Sequence, residues 1–208
     1  MKKVFSILII LATLLLASSC GDKNRKYDEA EVKAAAEVLI RKSKKLNDVF
    51  WGAGIPYVED DSYKNGPYYP ADLKALSELG VKTVDDIMEK ACEVFSKEYS
   101  DIIYESVFMA KAGDYGMAGY TRYYQDVDII MVYTRYTPLL VDEIEYIYDS
   151  ISVLGSKGDI VTVKITVNVT RDGDTQTRDI KINLVEEKSG WRIDSPTYAS
   201  YRTAEIPE

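Results

Sequence analysis

The sequence predicts an α+β fold, in which N-terminal helices pack on a curved antiparallel β-sheet. Apolar residues recur at helical spacing in the first half of the chain, whereas apolar and polar residues alternate in the second half. Short turns with glycine separate the alternating stretches, which is typical of an antiparallel meander. Helices followed by such strands indicate α+β, and the apolar helix faces should cover one face of the sheet.

The first helix is predicted from about Glu29 to about Phe50. Asp28 can cap its first turn, with Glu31 in the position of a capping-box partner, and Gly52 can end it. Residues 55–70, with the sequence IPYVEDDSYKNGPYYP, are rich in turn-forming and aromatic residues. We expect this segment to be an ordered loop.

Two shorter helices are predicted next. Asp72 and Gly80 bracket a helical turn, and Thr83 with Asp86 marks the start of a further helix. Cys92 borders the apolar stripe of that helix and is therefore predicted to be a buried, inert thiol. The stripe itself consists of Ile87, Met88, Ala91, Val94, Phe95 and Tyr99.

The strands are predicted after about residue 100. Segment 102–110 is read as a strand, and residues 120–136 are rich in tyrosine and prone to β-structure. The clearest strand is 160–170, where five apolar residues alternate with polar ones, and residues 144–154 are its expected partner. The RDGD sequence at 171–174 predicts an Asp-Gly turn into a return strand with Ile180, Ile182 and Leu184. Trp191 and Ile193 mark the last strand.

Charge and composition exclude several classes of function. The chain has 34 acidic and 26 basic residues, a balance that argues against nucleic acid as a partner, since nucleic acid attracts clustered Lys and Arg. It has no histidine, so the Ser–His and Cys–His nucleophile systems and the usual zinc ligand sets are absent. No cofactor is predicted.

The first twenty residues have the pattern of an export signal. Two lysines precede an apolar run of about 13 residues, which spans roughly 20 Å as a helix and is short for a bilayer core of about 30 Å. Small residues then lead directly to Cys20, which resembles the lipobox of bacterial lipoproteins, although Ala17 stands where leucine is usual. The resemblance implies cleavage before Cys20 and acylation of that residue.

Three alternatives remain open for this segment: a plain secretory signal, an uncleaved anchor, and a disulfide between Cys20 and Cys92. The preferred division is a signal peptide at 1–19, a lipidated tether at 20–27 and a single α+β domain at 28–208. The protein would then be held by a lipid at the outer face of the cell membrane.

Tyrosine is the most unusual feature of the composition, with 17 Tyr against 4 Phe. Tyrosine combines apolar area with a polar tip, which suits protein interfaces and stacking on sugars. A binding surface is therefore one interpretation of these residues, and an ordinary core with its rim is the other. The candidate binding residues are Tyr68, Tyr69, Tyr120, Tyr123 and Tyr124.

Acidic residues offer two further candidate sites. Asp126 and Asp128 would face the same side of a strand, roughly 7 Å apart, as a glycosidase carboxylate pair requires. A second acidic group comprises Asp142, Glu143 and Glu145. The loop with Asp61, Asn65 and Gly66 partly matches a calcium-binding loop, but the bidentate glutamate is missing. Solvated surface charge is the preferred interpretation of all three groups, and no catalytic or metal site is predicted.

Two family resemblances add to this interpretation. The helices, long strands and GWRID sequence at 190–194 resemble the nuclear-transport-factor-like (cystatin-like) superfamily, which implies a helix cradled by a bent sheet. Residues 45–57, 68–87 and 94–101 resemble uncharacterised lipoproteins of Gram-positive bacteria, especially clostridia, and parts of them resemble the DL-endopeptidase inhibitor family. The central motif of that inhibitor family is not clearly present.

The sequence thus favours a non-enzymatic binding module for a protein or a cell-wall glycan, attached through acylated Cys20 to the outer face of the membrane. The alternatives are an inhibitor of a cell-wall hydrolase and an envelope hydrolase that uses paired carboxylates.

Overall fold

The computed structural model describes residues 27–109 and 119–199 of the chain. The predicted signal peptide, Cys20 and most of the tether lie outside these residues. The described helices are α1 (Glu29–Trp51), α2 (Leu73–Leu79), α3 (Val84–Val94) and α4 (Lys97–Val107). The described strands are β1 (Tyr68–Pro70), β2 (Tyr123–Asp126), β3 (Ile129–Tyr133), β4 (Glu143–Lys157), β5 (Ile160–Arg171), β6 (Asp174–Glu187) and β7 (Gly190–Ile193). The predicted α+β class is confirmed.

The larger sheet is an antiparallel meander of β4, β5, β6 and β7. The alternation predicted for residues 160–170 is confirmed, because every second side chain of β5 is at most 3% exposed: Val161, Val163, Ile165, Val167 and Val169. Pairing between β4 and β5 shifts register between Ile147 and Ser152 and again between Val153 and Gly155. Such bulges bend a sheet, and α1 packs on the bent sheet at β4 and β7.

The turn between β5 and β6 forms as predicted. Asp172 and Gly173 have φ angles of 53° and 88°, and the two residues flanking them, Arg171 and Asp174, pair across the hairpin. Positive φ at both central positions is the type I′ geometry that matches the twist of the strands.

The predicted N-cap residues are also present, but Glu31 does not complete a capping box with Asp28, and its carboxylate accepts from the Trp191 indole instead. The Asp28 carboxylate accepts a hydrogen bond from the backbone N–H of Ala30 at 2.7 Å, and α1 runs one residue beyond its predicted end. Asp72 caps α2, and Gly80 ends it in the left-handed conformation. Thr83 and Asp86 form a reciprocal capping box at the start of α3.

The prediction of a strand at 102–110 is wrong for residues 102–107, because these residues belong to helix α4. The Ser96 hydroxyl accepts from the backbone N–H of Tyr99 and starts this helix. Tyr99, Ile103 and Val107 then lie four residues apart on its buried face. A helical period was thus present, but the β-branched and aromatic composition obscured it. The stripe predicted for α3 also ends earlier, since Phe95 is the C-cap and Tyr99 belongs to α4.

Cys92 is exposed, so the prediction of a buried thiol is wrong. The buried face of α3 is formed by Ile87, Ala91 and Val94. Cys92 follows Ala91 by one residue, which turns its side chain about 100° away from that face. The thiol therefore lies on the solvent side of the helix.

The tyrosine-rich segment forms a second sheet instead of joining the meander. β3 lies between β1 and β2, and both neighbours are antiparallel to it. Val127 and Asp128 form the two-residue turn that joins β2 to β3. The loop predicted at 55–70 therefore ends in β1, one of the two edge strands of this small sheet.

Candidate functional site

The small sheet is attached to the C-terminal end of α1 by hydrogen bonds. Arg122, which directly precedes β2, is 4% exposed, and its guanidinium donates to the carbonyls of Phe50 and Gly52, each at 2.7 Å. The Tyr123 hydroxyl donates to the carbonyl of Val49 at 2.8 Å. These carbonyls have no partner within the helix, and α1 has no basic residue in its last turn. Arg122 therefore supplies both the donors and the positive charge that this helix end requires.

Further contacts make this attachment rigid. The Arg122 guanidinium lies 3.8 Å from the ring centroid of Tyr136. The backbone N–H of Ile55 donates to the Tyr123 hydroxyl at 3.0 Å, so that hydroxyl both donates and accepts. Burial raises the pKa of Tyr123, which keeps the hydroxyl protonated well above neutral pH.

The small sheet and the start of the domain lie at opposite ends of α1. The helix has 23 residues, a length of about 35 Å at 1.5 Å per residue. At its start, the Trp191 indole donates to Glu31 at 3.3 Å, and Tyr27 shares a small pocket with Trp191 and Gly158 of the β4–β5 turn. The small sheet is bound to the other end of the helix.

Four tyrosines form a connected aromatic group on the small sheet, here called the tyrosine cluster: Tyr68, Tyr120, Tyr124 and Tyr133. Tyr68 of β1 pairs with Tyr133 of β3, with ring centroids 5.4 Å apart. Tyr124 meets the Tyr68 ring edge-on at 4.8 Å, and Tyr120 stacks on Tyr133 at 4.9 Å with 14° between the ring planes. These are favourable geometries for aromatic pairs.

Hydrogen bonds hold two members of the tyrosine cluster in place. The Tyr68 hydroxyl donates to the carbonyl of Thr121 at 2.9 Å, and the Asn65 side-chain amide donates to the Tyr124 hydroxyl at 2.7 Å. Tyr68 is buried, Tyr124 is half-buried, and Tyr120 is 56% exposed. The cluster is thus a preformed aromatic surface with Tyr120 as its most accessible ring.

The structure brings together three of the five predicted binding tyrosines. Tyr68, Tyr120 and Tyr124 meet in the cluster, whereas Tyr69 stacks on Tyr57 at 5.8 Å and donates to Asp61 at 3.3 Å. Tyr123 is 1% exposed, so its prediction as a surface binding residue is corrected: it belongs to the core and caps α1. Strand alternation explains the split, since adjacent residues of a strand point to opposite faces.

The predicted carboxylate pair does not form on one strand. Asp126 ends β2, whereas Asp128 lies in the β2–β3 turn, and both are exposed. In the second acidic group, Asp142 forms an ion pair with Arg171, and Glu145 accepts from Asn168 at 2.9 Å.

The loop considered for calcium is engaged in other contacts. Lys64 lies 3.5 Å from the Asp61 carboxylate, and Asn65 uses its amide on Tyr124. Within residues 27–109 and 119–199, no group of three His, Cys, Asp or Glu side chains is arranged to hold a metal ion.

A groove of about 800 Å³ between α2, α3 and β3 was not predicted from the sequence. Leu76, Val81 and Ile129 contribute apolar walls, and Lys90 and Glu93 are among the charged residues that line it. Leu73, at its edge, is 80% exposed. On α2 itself, Leu76 is buried, so the helix turns this leucine inward and leaves Leu73 at the rim of the groove.

The chain was compared with models of known protein families and with curated proteins, and neither comparison found a match. Among the described residues, none of the helices combines the length and the apolar character needed to cross a bilayer.

Proposed function

We propose that the protein is a membrane-anchored extracytoplasmic lipoprotein that acts as a non-enzymatic binding module for a protein or a cell-wall glycan. The observation that carries the proposal is the placement of the tyrosine cluster, which lies at the end of α1 opposite the predicted lipid attachment.

The geometry suits a module that faces away from a membrane. From Cys20 to Tyr27 the chain spans at most about 25 Å when extended, and α1 adds about 35 Å. A partner in the layer outside the membrane is therefore within reach of the small sheet.

The tyrosine cluster suits recognition because little entropy is lost when a partner binds it. Tyr68 and Tyr124 are already fixed by hydrogen bonds, and Tyr120 rests on Tyr133. Rigid aromatic side chains at a surface commonly dominate the binding energy of an interface. The acidic composition excludes nucleic acid and anionic lipid headgroups as preferred partners of this surface.

The binding function is tested with the full chain in lipid nanodiscs. These are incubated separately with purified sacculi and with solubilised envelope proteins from the source cells. We expect saturable binding to one of these fractions and a loss of at least about tenfold for Tyr120→Ala, since an aromatic anchor contributes 2 kcal/mol or more. The matched control is Tyr104→Ala, which removes an exposed tyrosine on α4 that is 47% accessible. Equal binding by the two variants, or no binding to either fraction, contradicts the proposal.

The anchor is tested independently of the binding surface. The Cys20→Ala variant should leave the membrane fraction and appear in the medium, because two acyl chains are the basis of the proposed attachment. A Cys92→Ala variant serves as the control and should stay with the membrane. Membrane retention of Cys20→Ala contradicts the lipid anchor without bearing on the tyrosine cluster.

A further inference from the structure

A second cavity lies between α1 and β4, on the large sheet. This cavity has a volume of about 420 Å³. It adjoins a neighbouring cavity of about 660 Å³, and the two share five lining residues. Both volumes lie within the usual range of about 300 to 1,000 Å³ for small-molecule sites. Arg41, Lys44 and Lys45 line it from the helix, and Glu143 and Tyr146 line it from the strand. We call this region the α1–β4 cleft.

Most of the charged groups of the cleft already have partners. Arg41 forms an ion pair with Glu37 at 2.8 Å, Lys45 donates to the carbonyl of Glu78 at 3.0 Å, and Asp142 is bound to Arg171. Lys44 and Glu143 differ from these. In the described part of the chain, neither side chain makes a hydrogen bond or an ion pair, although both line the cleft, where both are exposed to an incoming ligand.

Lys44 and Glu143 stand on opposite walls, one on the helix and the other on the strand. Their charges are opposite, yet they do not pair with each other within the described residues. A ligand that carries a carboxylate and an ammonium group would satisfy both at once.

The walls of the cleft are fixed in advance. The Asn47 amide donates to the Thr197 hydroxyl at 2.7 Å, and the Tyr146 hydroxyl donates to the Thr197 carbonyl at 2.8 Å. Thr197 thus ties α1 to β4 behind the cleft. The Oδ1 atom of Asn47, which also contributes to the cleft wall, is buried and has no partner, an uncommon state for a buried acceptor.

We propose that the α1–β4 cleft binds a short peptide with free termini, whose carboxylate contacts Lys44 and whose ammonium group contacts Glu143. The size of the cleft fits a few residues, and the two unpaired charges set the polarity of the bound chain. This site is separate from the tyrosine cluster and does not depend on the proposed function.

Calorimetry on the full chain in nanodiscs tests this site with alanine, dialanine and trialanine as probes. We expect saturable binding of dialanine or trialanine, with alanine as the control that has both charged groups but no peptide bond. N-acetylation or C-terminal amidation of the tightest probe should each weaken binding by about tenfold, as the loss of one charge-assisted contact implies. Lys44→Gln should abolish the effect of amidation, and Glu143→Gln should abolish the effect of acetylation. Lys42→Gln and Asp149→Asn are the matched controls, since each removes the same charge outside the cleft.

Several outcomes overturn the inference. The absence of saturable binding by both peptides is one, and equal affinity for free and blocked peptides is another. A loss in the control variants as large as that in Lys44→Gln or Glu143→Gln would show a general charge effect instead of a site. Tyr120→Ala should leave peptide affinity unchanged, which separates this test from that of the tyrosine cluster.

Discussion

The two sheets are held in the structure by different forces. The large sheet buries an aliphatic face, with Val163, Ile165, Val167 and Val169 all fully covered. The small sheet also contributes buried residues, but its position is set by Arg122 and Tyr123, which satisfy the end of α1. Hydrophobic burial is non-directional, whereas each of these hydrogen bonds fixes a distance and an angle. The large sheet therefore provides the stability, and the polar attachment determines where the tyrosine cluster stands.

The outer faces of the two sheets also differ, because the side chains of one pair with each other and the other exposes an aromatic ring. On the large sheet, the polar face is closed by pairs within the sheet, such as Lys164 with Asp179 at 2.8 Å and Asn168 with Glu145 at 2.9 Å. The small sheet instead presents the accessible ring of Tyr120. A surface that has satisfied its own polar groups has less to offer a partner than an exposed aromatic one.

Loss of Arg122 should have the largest effect on stability. Arg122→Met keeps an apolar stem but removes the donor to the Gly52 carbonyl and leaves the Phe50 carbonyl with only the Tyr136 hydroxyl at 3.4 Å, so we expect a loss of about 3 to 5 kcal/mol in the free energy of unfolding. Urea denaturation measures it. Arg135→Met, at an exposed position, is the control and should change stability by less than about 0.5 kcal/mol. A loss below about 1 kcal/mol for Arg122→Met would show that the aliphatic core alone places the small sheet.

Gly54 lies in the loop after α1, next to the Arg122 and Tyr123 side chains that attach the small sheet. Its φ is 86°, and an added Cβ would lie 2.3 Å from the guanidinium of Arg122 and 2.7 Å from the hydroxyl of Tyr123. We expect Gly54→Ala to cost about 3 kcal/mol, from backbone strain together with displacement of Arg122.

Gly158 provides the comparison for Gly54 on the large sheet. Its φ is 63°, but nothing lies within 4 Å of an added Cβ. Gly158→Ala should therefore cost only the strain of about 1 kcal/mol. Equal losses in the two alanine variants, measured by urea denaturation, would show that the close packing at Arg122 contributes nothing.

The large sheet could be predicted from the sequence because its information is local. Alternation along 160–170, the Asp-Gly turn and the caps at Asp28 and Thr83 each lie within a few residues of the structure that they specify. The placement of the small sheet could not, since Arg122 meets Phe50 across 72 positions of the chain. The same limit explains why Tyr123 was grouped with the surface tyrosines. Nothing in its neighbourhood in the sequence reveals that a helix end needs its hydroxyl.

Alkaline pH should weaken the attachment of the small sheet through Tyr123. Burial raises the pKa of Tyr123 in the folded state. The neutral hydroxyl therefore contributes fully to the free energy of unfolding below about pH 10, where it is protonated in both the folded and the unfolded state. Above that pH the unfolded state ionises first, and stability falls by up to about 1.4 kcal/mol per pH unit.

Tyr123→Phe removes this share of the pH dependence. The variant should be about 1 to 2 kcal/mol less stable at pH 7, because the carbonyl of Val49 and the N–H of Ile55 lose their partner. Its further loss between pH 9 and pH 11 should be about 1 kcal/mol smaller than that of the unchanged protein. The exposed Tyr104→Phe is the control, and an identical alkaline loss in all three proteins would contradict the role given to Tyr123.

Substitution of Cys92 should have the smallest effect on stability. The accessibility of its thiol reports on the orientation of α3, the helix that contacts both sheets. The N-terminus of α3 meets Gln125 of β2 at 3.0 Å, and its C-cap Phe95 bridges to Ile193 of β7. Because the thiol faces solvent between these contacts, Cys92→Ser should change the free energy of unfolding by less than about 0.5 kcal/mol. Ellman's reagent should label Cys92 in the folded protein at the rate of a free thiol. Labelling that requires denaturant would instead place the thiol in the core and would mean that α3 is rotated about its axis, which would also move the groove that it forms with β3.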